Sequence, residues 1–464
     1  MMTPEAWLDS HKEDFIRACQ RVLRINSVKA APEPGKPFGP GVYDCLVEAL
    51  KIADELGLDT KNVDGYAGRI QAGEGDEIVG ILSHLDVVPE GEGWTYPPYS
   101  GAYVDGCLYS RGAGDNKGPS MAALFALAAV AQSGAKFTRR VHLIFGCDEE
   151  SGWDDMAYYG AHERMPDMGF SPDASFPVTH AEKGIMHVDL VAEGADPTCP
   201  VRSIQSGTRA NIVPDEAHAL VALPMGEVRQ AVETVAPLHE KLSFDLAERD
   251  GLVKVTAHGV GCHGAFPEGG VNALAYLMVA LSRLPLGDGP MAKAIAFVAS
   301  RIGLTLHGED IGLGISDPVT GLLSCNLGVM RMDGDKLTAT IDIRHPVDRT
   351  HEQLMDILQG QCAPAGMRAE LGTWQAPLYL PKDHFIVTTL MDIYKKHTGD
   401  VDAQPQTMGG GTYARAIPNA VAFGPSFPGG KHGGAHEPNE FVSVDELIAG
   451  AKIFIDAILQ LACA

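Results

Sequence analysis

Residues 77–87 read EIVGILSHLDV, and this apolar run with its polar end decides the fold. A second apolar run, RRVHLIFG, covers residues 139–146, and the Ala-rich stretch 118–131 between the two runs is typical of a helix. Apolar runs that are this short and continuous are typical of strands buried on both faces. A strand, a helix and a second strand in this order predict a crossover connection and a largely parallel, buried sheet.

Outside this core, the pattern of helices and strands changes along the chain. Residues 4–25 have helical periodicity, whereas alternating strands become frequent after Lys183. They include a hairpin signal at Asp333-Gly334. We therefore predict an α/β domain with a mixed, largely parallel sheet flanked by helices, formed by residues 1–182 and 377–464, and an inserted α+β domain at 183–376.

The composition excludes several classes of protein. The chain has 464 residues, of which 45% are hydrophobic and 21% are charged, so it is too apolar for a disordered protein. Its formal net charge is −24. Because an acidic surface repels phosphate groups and anionic lipids, we expect neither nucleic acid nor a membrane surface as a partner.

The cysteines and the N-terminal residues indicate a reducing compartment. Nine cysteines are scattered without a C-x-x-C pair, which favours reduced, buried thiols over a disulfide framework or a zinc ribbon. The first residues, MMTPEAWLDSHKEDF, lack the basic and apolar regions of a signal peptide. The longest uncharged run, 118–135, is barely long enough to cross a bilayer, so we predict a buried core helix and a cytoplasmic protein.

Polar side chains are concentrated where the first apolar strand ends. His84 and Asp86 are two residues apart, and residues at that spacing point to the same face of a strand. A carboxylate beside a metal-binding imidazole fixes its tautomer and raises its basicity. The alternative is a surface His-Asp pair without a metal, and this segment taken alone favours that alternative.

Acidic residues occur in two further segments beside predicted elements. Asp115 follows a Gly-rich turn directly before the buried helix, where the alternative role is a helix cap. Glu149 and Glu150 follow the strand that ends at Gly146, which is the usual ligand edge of an open α/β sheet. One of them can bind a metal while the other handles protons, and the alternative is an acidic surface loop.

Two more candidate ligands complete the set. Asp173 lies in FSPDA, shortly after the Glu149-Glu150 segment. His436 lies in the Gly-rich loop GGAHEPNE before the final predicted helix. Each of these segments alone is more often structural than catalytic.

In this order, the candidate residues resemble those of the cocatalytic dinuclear zinc peptidases. That family includes carboxypeptidases, aminoacylases and dipeptidases. The resemblance extends over nearly the whole chain and is closest to the PepV-type (Xaa-His/β-Ala) bacterial dipeptidases. The motifs that carry it are SHLDVVP, GEGW, DNKGP, DEESGW, SPDASFP, EKGI, MGGGTYAR and HEPNE.

The resemblance implies two zinc ions bound by five residues. It assigns His84 and Asp173 to one ion, Glu150 and His436 to the other, and Asp115 to both. Two Zn²⁺ ions bring four positive charges against three carboxylates, and this surplus favours a bridging hydroxide over neutral water. Manganese or cobalt could fill such a site as well.

The same resemblance assigns roles to the residues around the metals. It implies that Asp86 orients His84 and that Glu149 is the general base, which takes the proton of the nucleophile and delivers it to the leaving amine. The peptide bond between Asp115 and Asn116 is expected to be cis. Asn116 departs from the family pattern, because many relatives carry a second acid at this position.

The inserted domain supplies residues that resemble substrate-binding positions. Arg344 would bind the terminal carboxylate of a peptide, because a guanidinium forms bidentate pairs with carboxylates. Asn211 and His263 would donate hydrogen bonds to the substrate or to the tetrahedral intermediate. The small residues around Gly410 would let backbone amides approach a ligand. As alternatives, Arg344 pairs with Asp342, and the glycine loop is a plain turn.

The resemblance therefore implies a metal-dependent dipeptidase that acts on dipeptides with a free N-terminus. The inserted domain would be a lid that closes over the substrate. A deacylase or desuccinylase of N-acyl-amino acids, or a carboxypeptidase, is the close alternative, because the walls of the pocket determine the substrate. A metal- or ligand-binding protein without catalysis is the alternative from another class.

Two further expectations concern nucleotides and the oligomeric state. The segment GVGCHG at 259–264 has the spacing G-x-G-x-x-G, but Pro267 prevents a helix from starting directly after it, which argues against a dinucleotide site. In PepV-type members an enlarged lid replaces the second subunit of dimeric relatives. We therefore favour a monomer over a homodimer.

Overall fold

The chain folds into two units, and the computed structural model describes residues 2–464. The first unit comprises the residues up to His180 together with Tyr379–Gln406 and Thr412–Ala464. The second unit comprises Ala181–Leu378 and Thr407–Gly411. The fold prediction of an α/β domain interrupted by a separate inserted domain is confirmed.

The α-helices are α1 (Pro4–Ser10), α2 (Lys12–Leu23), α3 (Pro40–Glu55), α4 (Lys117–Gln132), α5 (Asp154–His162), α6 (Met225–Glu233), α7 (Ala273–Leu281), α8 (Pro290–Phe297), α9 (His351–Cys362), α10 (Phe385–Thr398) and α11 (Val444–Ala462).

The strands are β1 (Asp59–Val63), β2 (Ala67–Ala72), β3 (Ile78–His84), β4 (Ala102–Val104), β5 (Cys107–Tyr109), β6 (Arg140–Gly146), β7 (Met168–Ser171), β8 (Ala174–Ser175), β9 (Val178–Glu182), β10 (Gly184–Glu193), β11 (Val201–Ser206), β12 (Ile212–Val213), β13 (Glu216–Val221), β14 (Ser243–Arg249), β15 (Leu252–His258), β16 (Cys262–His263), β17 (Ser316–Asp317), β18 (Gly321–Leu322), β19 (Ser324–Asp333), β20 (Lys336–His345), β21 (Arg368–Gln375), β22 (Leu378–Tyr379), β23 (Gln406–Met408), β24 (Ala420–Phe423), β25 (Pro425–Ser426), β26 (His432–Gly433) and β27 (Phe441–Ser443).

The main sheet of the first unit is mixed, with parallel strands at its centre. Its strand order is β1-β2-β6-β3-β7-β24-β9-β22. The pairs β6-β3, β3-β7 and β7-β24 are parallel, whereas β1-β2, β2-β6 and β24-β9 are antiparallel. All residues of β3 are buried, as expected for a central strand covered on both faces.

Helix α4 lies in the core of the first unit. Its residues Lys117–Val130 are all buried, and the helix packs against α1, α2 and α11. The uncharged run around it is therefore a core helix, as predicted. Among the described residues, no helix is both long enough and apolar enough to cross a bilayer.

The predicted N-terminal helix over 4–25 is interrupted. Its two parts, α1 and α2, meet at His11, whose ring stacks on that of Trp7 with the centroids 3.9 Å apart. The Nδ1 atom of His11 lies 2.8 Å from the Trp7 carbonyl oxygen. The His11 amide still donates to the Trp7 carbonyl oxygen at 3.2 Å, so the chain turns at His11 without losing this helical bond.

The second unit contains an antiparallel sheet. Its strand order is β14-β15-β13-β11-β19-β20-β10-β21, and every neighbouring pair is antiparallel. The predicted hairpin is present, with Asp333 opposite Lys336 and Gly334 at a φ of 60°. Residues of α6, α7, α8 and α9 share one apolar core with this sheet.

The second unit differs from the predicted inserted domain in one segment. Thr407–Gly411 belongs to it, although the sequence pattern placed these residues in the final α/β segment. The Lys183 amide donates to the Met408 carbonyl oxygen at 3.0 Å. Arg344 donates to the Gly409 carbonyl oxygen at 3.4 Å. Such long-range bonds are not visible in a local sequence pattern.

Candidate metal centre

Polar side chains meet where three neighbouring parallel strands of the first unit end. His84 is the last residue of β3, and it pairs in register with Gly146, the last residue of β6. Glu149 and Glu150 follow β6, and Asp173 follows β7, which lies on the other side of β3. The carboxyl ends of parallel strands share one edge of the sheet, so the topology brings these residues together.

Two groups of possible metal ligands lie at this edge, and they share Asp115. The first group is His84, Asp115 and Asp173, and the second is Asp115, Glu150 and His436. Within each group, the ligand atoms lie within 4.8 Å of one another. The structure therefore brings together all five residues that were predicted as metal ligands, in the predicted pairs.

The two carboxylate oxygens of Asp115 contact different histidines. His84 Nε2 lies 3.1 Å from Asp115 Oδ1, and His436 Nε2 lies 3.1 Å from Asp115 Oδ2. The outer ligands are close as well, with His84 Nε2 at 3.6 Å from Asp173 Oδ2 and His436 Nε2 at 3.1 Å from Glu150 Oε1. Asp115 is thus the residue that the two groups share, with one carboxylate oxygen beside the histidine of each group.

The second ring nitrogen of His84 fixes the orientation of the imidazole. Its Nδ1 donates a hydrogen bond to the backbone carbonyl oxygen of Asp86 at 3.0 Å, since a carbonyl oxygen can only accept. The Asp86 carboxylate is farther away, with Oδ1 at 3.6 Å from the same nitrogen. Nε2, which faces Asp115 and Asp173, is then the ring nitrogen whose lone pair the neutral imidazole can offer to a metal ion.

The Asp86 carboxylate supports the acidic segment after β6. Its Oδ1 accepts a hydrogen bond from the Glu149 amide at 3.1 Å, and its Oδ2 accepts one from the Glu150 amide at 3.0 Å. Asp86 is 1% exposed. The Asp86 carbonyl oxygen thus orients His84, and the Asp86 carboxylate holds the backbone of Glu149 and Glu150 in place.

Two acidic residues of the site, Glu149 and Glu150, have a raised pKa. Burial raises the pKa of Glu149 well above its usual value, and the negative charge of Asp173 adds to this effect. Burial and the charge of Asp115 also raise the pKa of Glu150. Such groups bind cations or protons readily, because either removes the repulsion.

The two histidines of the site also have a raised pKa. Hydrogen bonds to Asp115 and Glu150 raise the pKa of His436 to about 11, although burial acts in the opposite direction. The pKa of His84 is also raised well above its usual value. Burial lowers it, but the hydrogen bonds to Asp115 and Asp86 have the larger effect. Without bound cations, protons on the imidazoles balance the carboxylates, and divalent ions would take over this role.

The donor set fits two divalent cations. Two imidazoles and three carboxylates are ligands that zinc accepts, and manganese and cobalt accept them too. The peptide bond between Asp115 and Asn116 is cis, as expected. Among residues 2–464, the buried side-chain amide of Asn116 has no hydrogen-bond partner, so this edge of the sheet has an unsatisfied polar group beside Asp115.

The sequence of the chain identifies its family. Residues 80–460 match the peptidase family M20/M25/M40. The chain belongs to this family. All the residues of the candidate metal centre lie within the matched range.

Curated relatives of this M20 peptidase match along its whole length. "Putative dipeptidase YtjP" of Bacillus subtilis (strain 168) is 37% identical over 465 residues, which cover 97% of this chain and 98% of the relative. A second "Putative dipeptidase", from Staphylococcus saprophyticus, is 37% identical over 472 residues, which cover 98% of this chain and 99% of the relative.

Solved structures share the fold of this M20 peptidase at low sequence identity. Human carnosine dipeptidase 1 has a TM-score of 0.60 and 15% identity, with 98% of each chain covered. The dipeptidase Dug1p of Saccharomyces cerevisiae has a TM-score of 0.59 and 16% identity, with 98% of this chain and 96% of that one covered. Aminoacylhistidine dipeptidase of Vibrio alginolyticus has a TM-score of 0.57 and 16% identity, with 97% and 96% covered.

The predicted substrate-binding residues lie in the second unit. Asn211 and His263 are neighbours there, because β12 pairs with β16 and the Gly264 amide donates to the Asn211 carbonyl oxygen at 2.7 Å. The Arg344 guanidinium donates to Asp342 Oδ2 at 3.0 Å. The ion pair considered as an alternative for Arg344 is therefore present, and the binding roles of these residues stay predictions.

Gly410 lies in the second unit, directly after Gly409. The neighbouring Gly409 carbonyl oxygen accepts the bond from Arg344 Nη1. The structure thus brings the glycine loop and Arg344 together within one unit. The proposed contact of Gly410 with a ligand stays a prediction.

Two residues with contacts at this sheet edge were not predicted from the sequence. Glu440 Oε1 accepts a hydrogen bond from the Asp115 amide at 3.0 Å, and the Tyr413 hydroxyl donates to Asp155 Oδ2. Glu440 and Tyr413 lie in the motifs HEPNE and MGGGTYAR, yet only His436 and the glycines of these motifs were given roles. A charged or aromatic residue inside a Gly-rich loop was the available signal. Its partners are distant in sequence, so the contacts become visible only in the structure.

Proposed function

We propose that this M20 peptidase is a metal-dependent dipeptidase that hydrolyses dipeptides with a free N-terminus. The observation that carries the proposal is the bridging position of Asp115 between the two ligand groups, with Glu149 next to Glu150 at the same sheet edge. The curated relatives that match the whole chain carry dipeptidase names, which supports the choice of substrate.

We propose zinc as the metal, because two histidines and three carboxylates form a typical zinc ligand set. Manganese and cobalt are alternative occupants of the same ligands. When bound, such ions polarise a carbonyl group and lower the pKa of water. The residues that would hold them are His84, Asp115, Asp173, Glu150 and His436.

Glu149 is proposed as the general base. Burial raises its pKa well above the usual value, which favours a carboxylate that accepts a proton from water and delivers it to the leaving amine. The hydrogen bond from its own amide to Asp86 fixes its backbone. Asp86 therefore contributes to catalysis by holding the base and by orienting His84.

The second unit is proposed to bind the substrate. Arg344 would pair with the terminal carboxylate of the dipeptide. Asn211, His263 and the amide of Gly410 would supply hydrogen bonds to the substrate backbone. The cytoplasmic location and the monomeric state predicted from the sequence complete the proposal.

A dipeptide panel tests the proposed function. The purified protein is stripped with a chelator, reconstituted with Zn²⁺, Mn²⁺ or Co²⁺, and assayed by release of free amino acids. We expect hydrolysis of free dipeptides only in the metal-loaded protein, with little hydrolysis of their N-acetylated forms. Preference for the N-acetylated substrates would indicate a deacylase instead. Two bound metals without hydrolysis of any substrate would indicate a non-catalytic protein.

A further inference from the structure

Glu440 is a buried carboxylate that accepts hydrogen bonds from the loop before α4. Its side chain is 0% exposed. Oε1 accepts from the amides of Gly114 at 2.8 Å and Asp115 at 3.0 Å. Oε2 accepts from the Gly112 amide at 3.0 Å and from the Arg111 guanidinium at 2.6 Å. One of these donors is the backbone of the bridging residue itself.

The chemistry of these contacts requires a carboxylate. Every partner of Glu440 is a donor, and each of its oxygens accepts two hydrogen bonds. A glutamine would place an NH₂ group against two N–H donors, because the amide has only one oxygen. A buried donor without an acceptor is costly, so the loop would have to move.

Arg111 balances the charge of Glu440. Its side chain is 1% exposed, and its guanidinium lies over the Trp94 ring, 5.4 Å from the centroid. Its Nη2 donates to the Glu90 carbonyl oxygen at 3.3 Å. A buried carboxylate that is paired and fully hydrogen-bonded is held in one position.

Glu440 also connects the segments that carry two ligands of the same group. It lies in the loop of His436, and its carbonyl oxygen accepts from the Ser110 amide at 3.1 Å. In that loop, His436 and Asn439 have positive φ values of 65° and 63°. The Thr95 amide donates to Asn439 Oδ1 at 2.6 Å, which anchors the loop further.

We propose that Glu440 is a positioning residue for the dinuclear centre. It holds the Asp115 backbone so that both oxygens of this bridging ligand reach the two metals, and it fixes the His436 loop relative to Asp115. This role rests on the proposed metal site. It goes beyond the ligands and the general base, because Glu440 acts through the backbone of another residue.

Glu440→Gln tests this role through metal affinity. Zinc binding is measured by competition with a chromophoric chelator, together with kcat and KM for a dipeptide. We expect the affinity for at least one Zn²⁺ and the kcat to fall about 10- to 100-fold, with KM nearly unchanged, as is typical for residues that support metal ligands. Glu437→Gln, an exposed change in the same loop, should leave all three values unchanged.

Several outcomes would overturn the role of Glu440. Wild-type zinc affinity in a folded E440Q protein would do so, as would a loss of thermal stability with unaltered zinc affinity. If E440Q does not fold, Glu440→Asp decides, because it keeps the charge but cannot reach all four donors. Reduced zinc affinity in E440D supports the role, and wild-type affinity overturns it. A wild-type protein that binds two zinc ions but hydrolyses no dipeptide would refute only the proposed function.

Discussion

A single carboxylate, that of Asp86, holds the backbone of both acidic residues that follow β6. The Glu149 and Glu150 amides donate to its two oxygens, while its own carbonyl oxygen accepts from His84. Asp86 therefore links a predicted ligand of each metal to the predicted base. Glu149 is the residue proposed as the base, which makes it the most direct target at the scale of single residues.

Replacing the base should remove turnover without removing the metals. We expect Glu149→Gln to lower kcat by about 10²- to 10⁴-fold, the usual contribution of a general base. The fold and zinc content should be unchanged, because the Glu149 amide still donates to Asp86. Metal analysis and a dipeptide assay check this result. Asp154→Asn, an exposed change on the following helix, is the matched control, and substantial activity in E149Q would refute the assigned base.

His142 gives a pH-dependent contribution to stability. Burial and the charge of Arg69 lower its pKa from 6.5 to about 4. The unfolded chain therefore binds this proton below pH 6.5, whereas the folded chain does not until about pH 4. Stability is fully retained above pH 6.5 and falls as the pH decreases through this window.

We expect the free energy of unfolding to fall by about 3 kcal/mol between pH 6.5 and pH 4, because the unfolded chain takes up the His142 proton. His142→Gln should remove this part of the pH dependence. Urea unfolding at several pH values measures it for both proteins. Identical slopes of stability against pH in this range would contradict the assignment.

At the scale of elements, the ends of strands are tied to distant loops. The short 3₁₀ helix Tyr413–Ala416 reaches the end of β6, because the Tyr413 hydroxyl donates to Asp155 Oδ2. The same oxygen accepts from the amides of Cys147 at 2.6 Å and Asp148 at 3.0 Å. Asp155 thus fixes the segment directly before Glu149.

Removing the Tyr413 hydroxyl should loosen this connection. Tyr413 is 1% exposed, and a buried hydrogen bond contributes about 1 kcal/mol. We expect Tyr413→Phe to lower the free energy of unfolding by about that amount in urea titrations. Tyr158→Phe is the control, because its hydroxyl bonds to Asp64 at the surface, and it should change stability little. Equal stability of Y413F and wild type would contradict this role.

The elements that could be predicted from the sequence are those with local signals. The strand β3, the helix α4 and the strand β6 are continuous apolar runs, and the hairpin at Gly334 has its own turn signal. The break at His11, where the imidazole ring stacks on Trp7, has no such local signal in the sequence.

The candidate site shows the same division between local and distant signals. The resemblance to the dinuclear zinc peptidases implied the five ligands, and the structure brings them together. The contacts of Asp86 with Glu149 and of Glu440 with Asp115 join residues far apart in sequence. Because periodicity and spacing carry no information on such contacts, the hydrogen bonds that hold the backbone of these residues could not be predicted from the sequence.

At the scale of the whole molecule, the family match and the site geometry agree. The family range 80–460 contains both parts of the α/β unit that supply ligands, and curated relatives cover 97–98% of the chain. The formal net charge of −24 is spread over many acidic residues, of which only a few lie at the metal centre. The metal centre therefore depends on where these few acidic residues lie, and the net charge of the chain does not indicate it.

The central claim is that Asp115 bridges two metal ions, and metal stoichiometry tests it most directly. Zinc bound per chain is measured by mass spectrometry after equilibrium dialysis, for the wild type and for Asp115→Ala. We expect two zinc ions per wild-type chain and loss of both from D115A, because each ligand group loses its shared member. Two tightly bound ions in D115A, or a single ion in the wild type, would contradict the bridged centre.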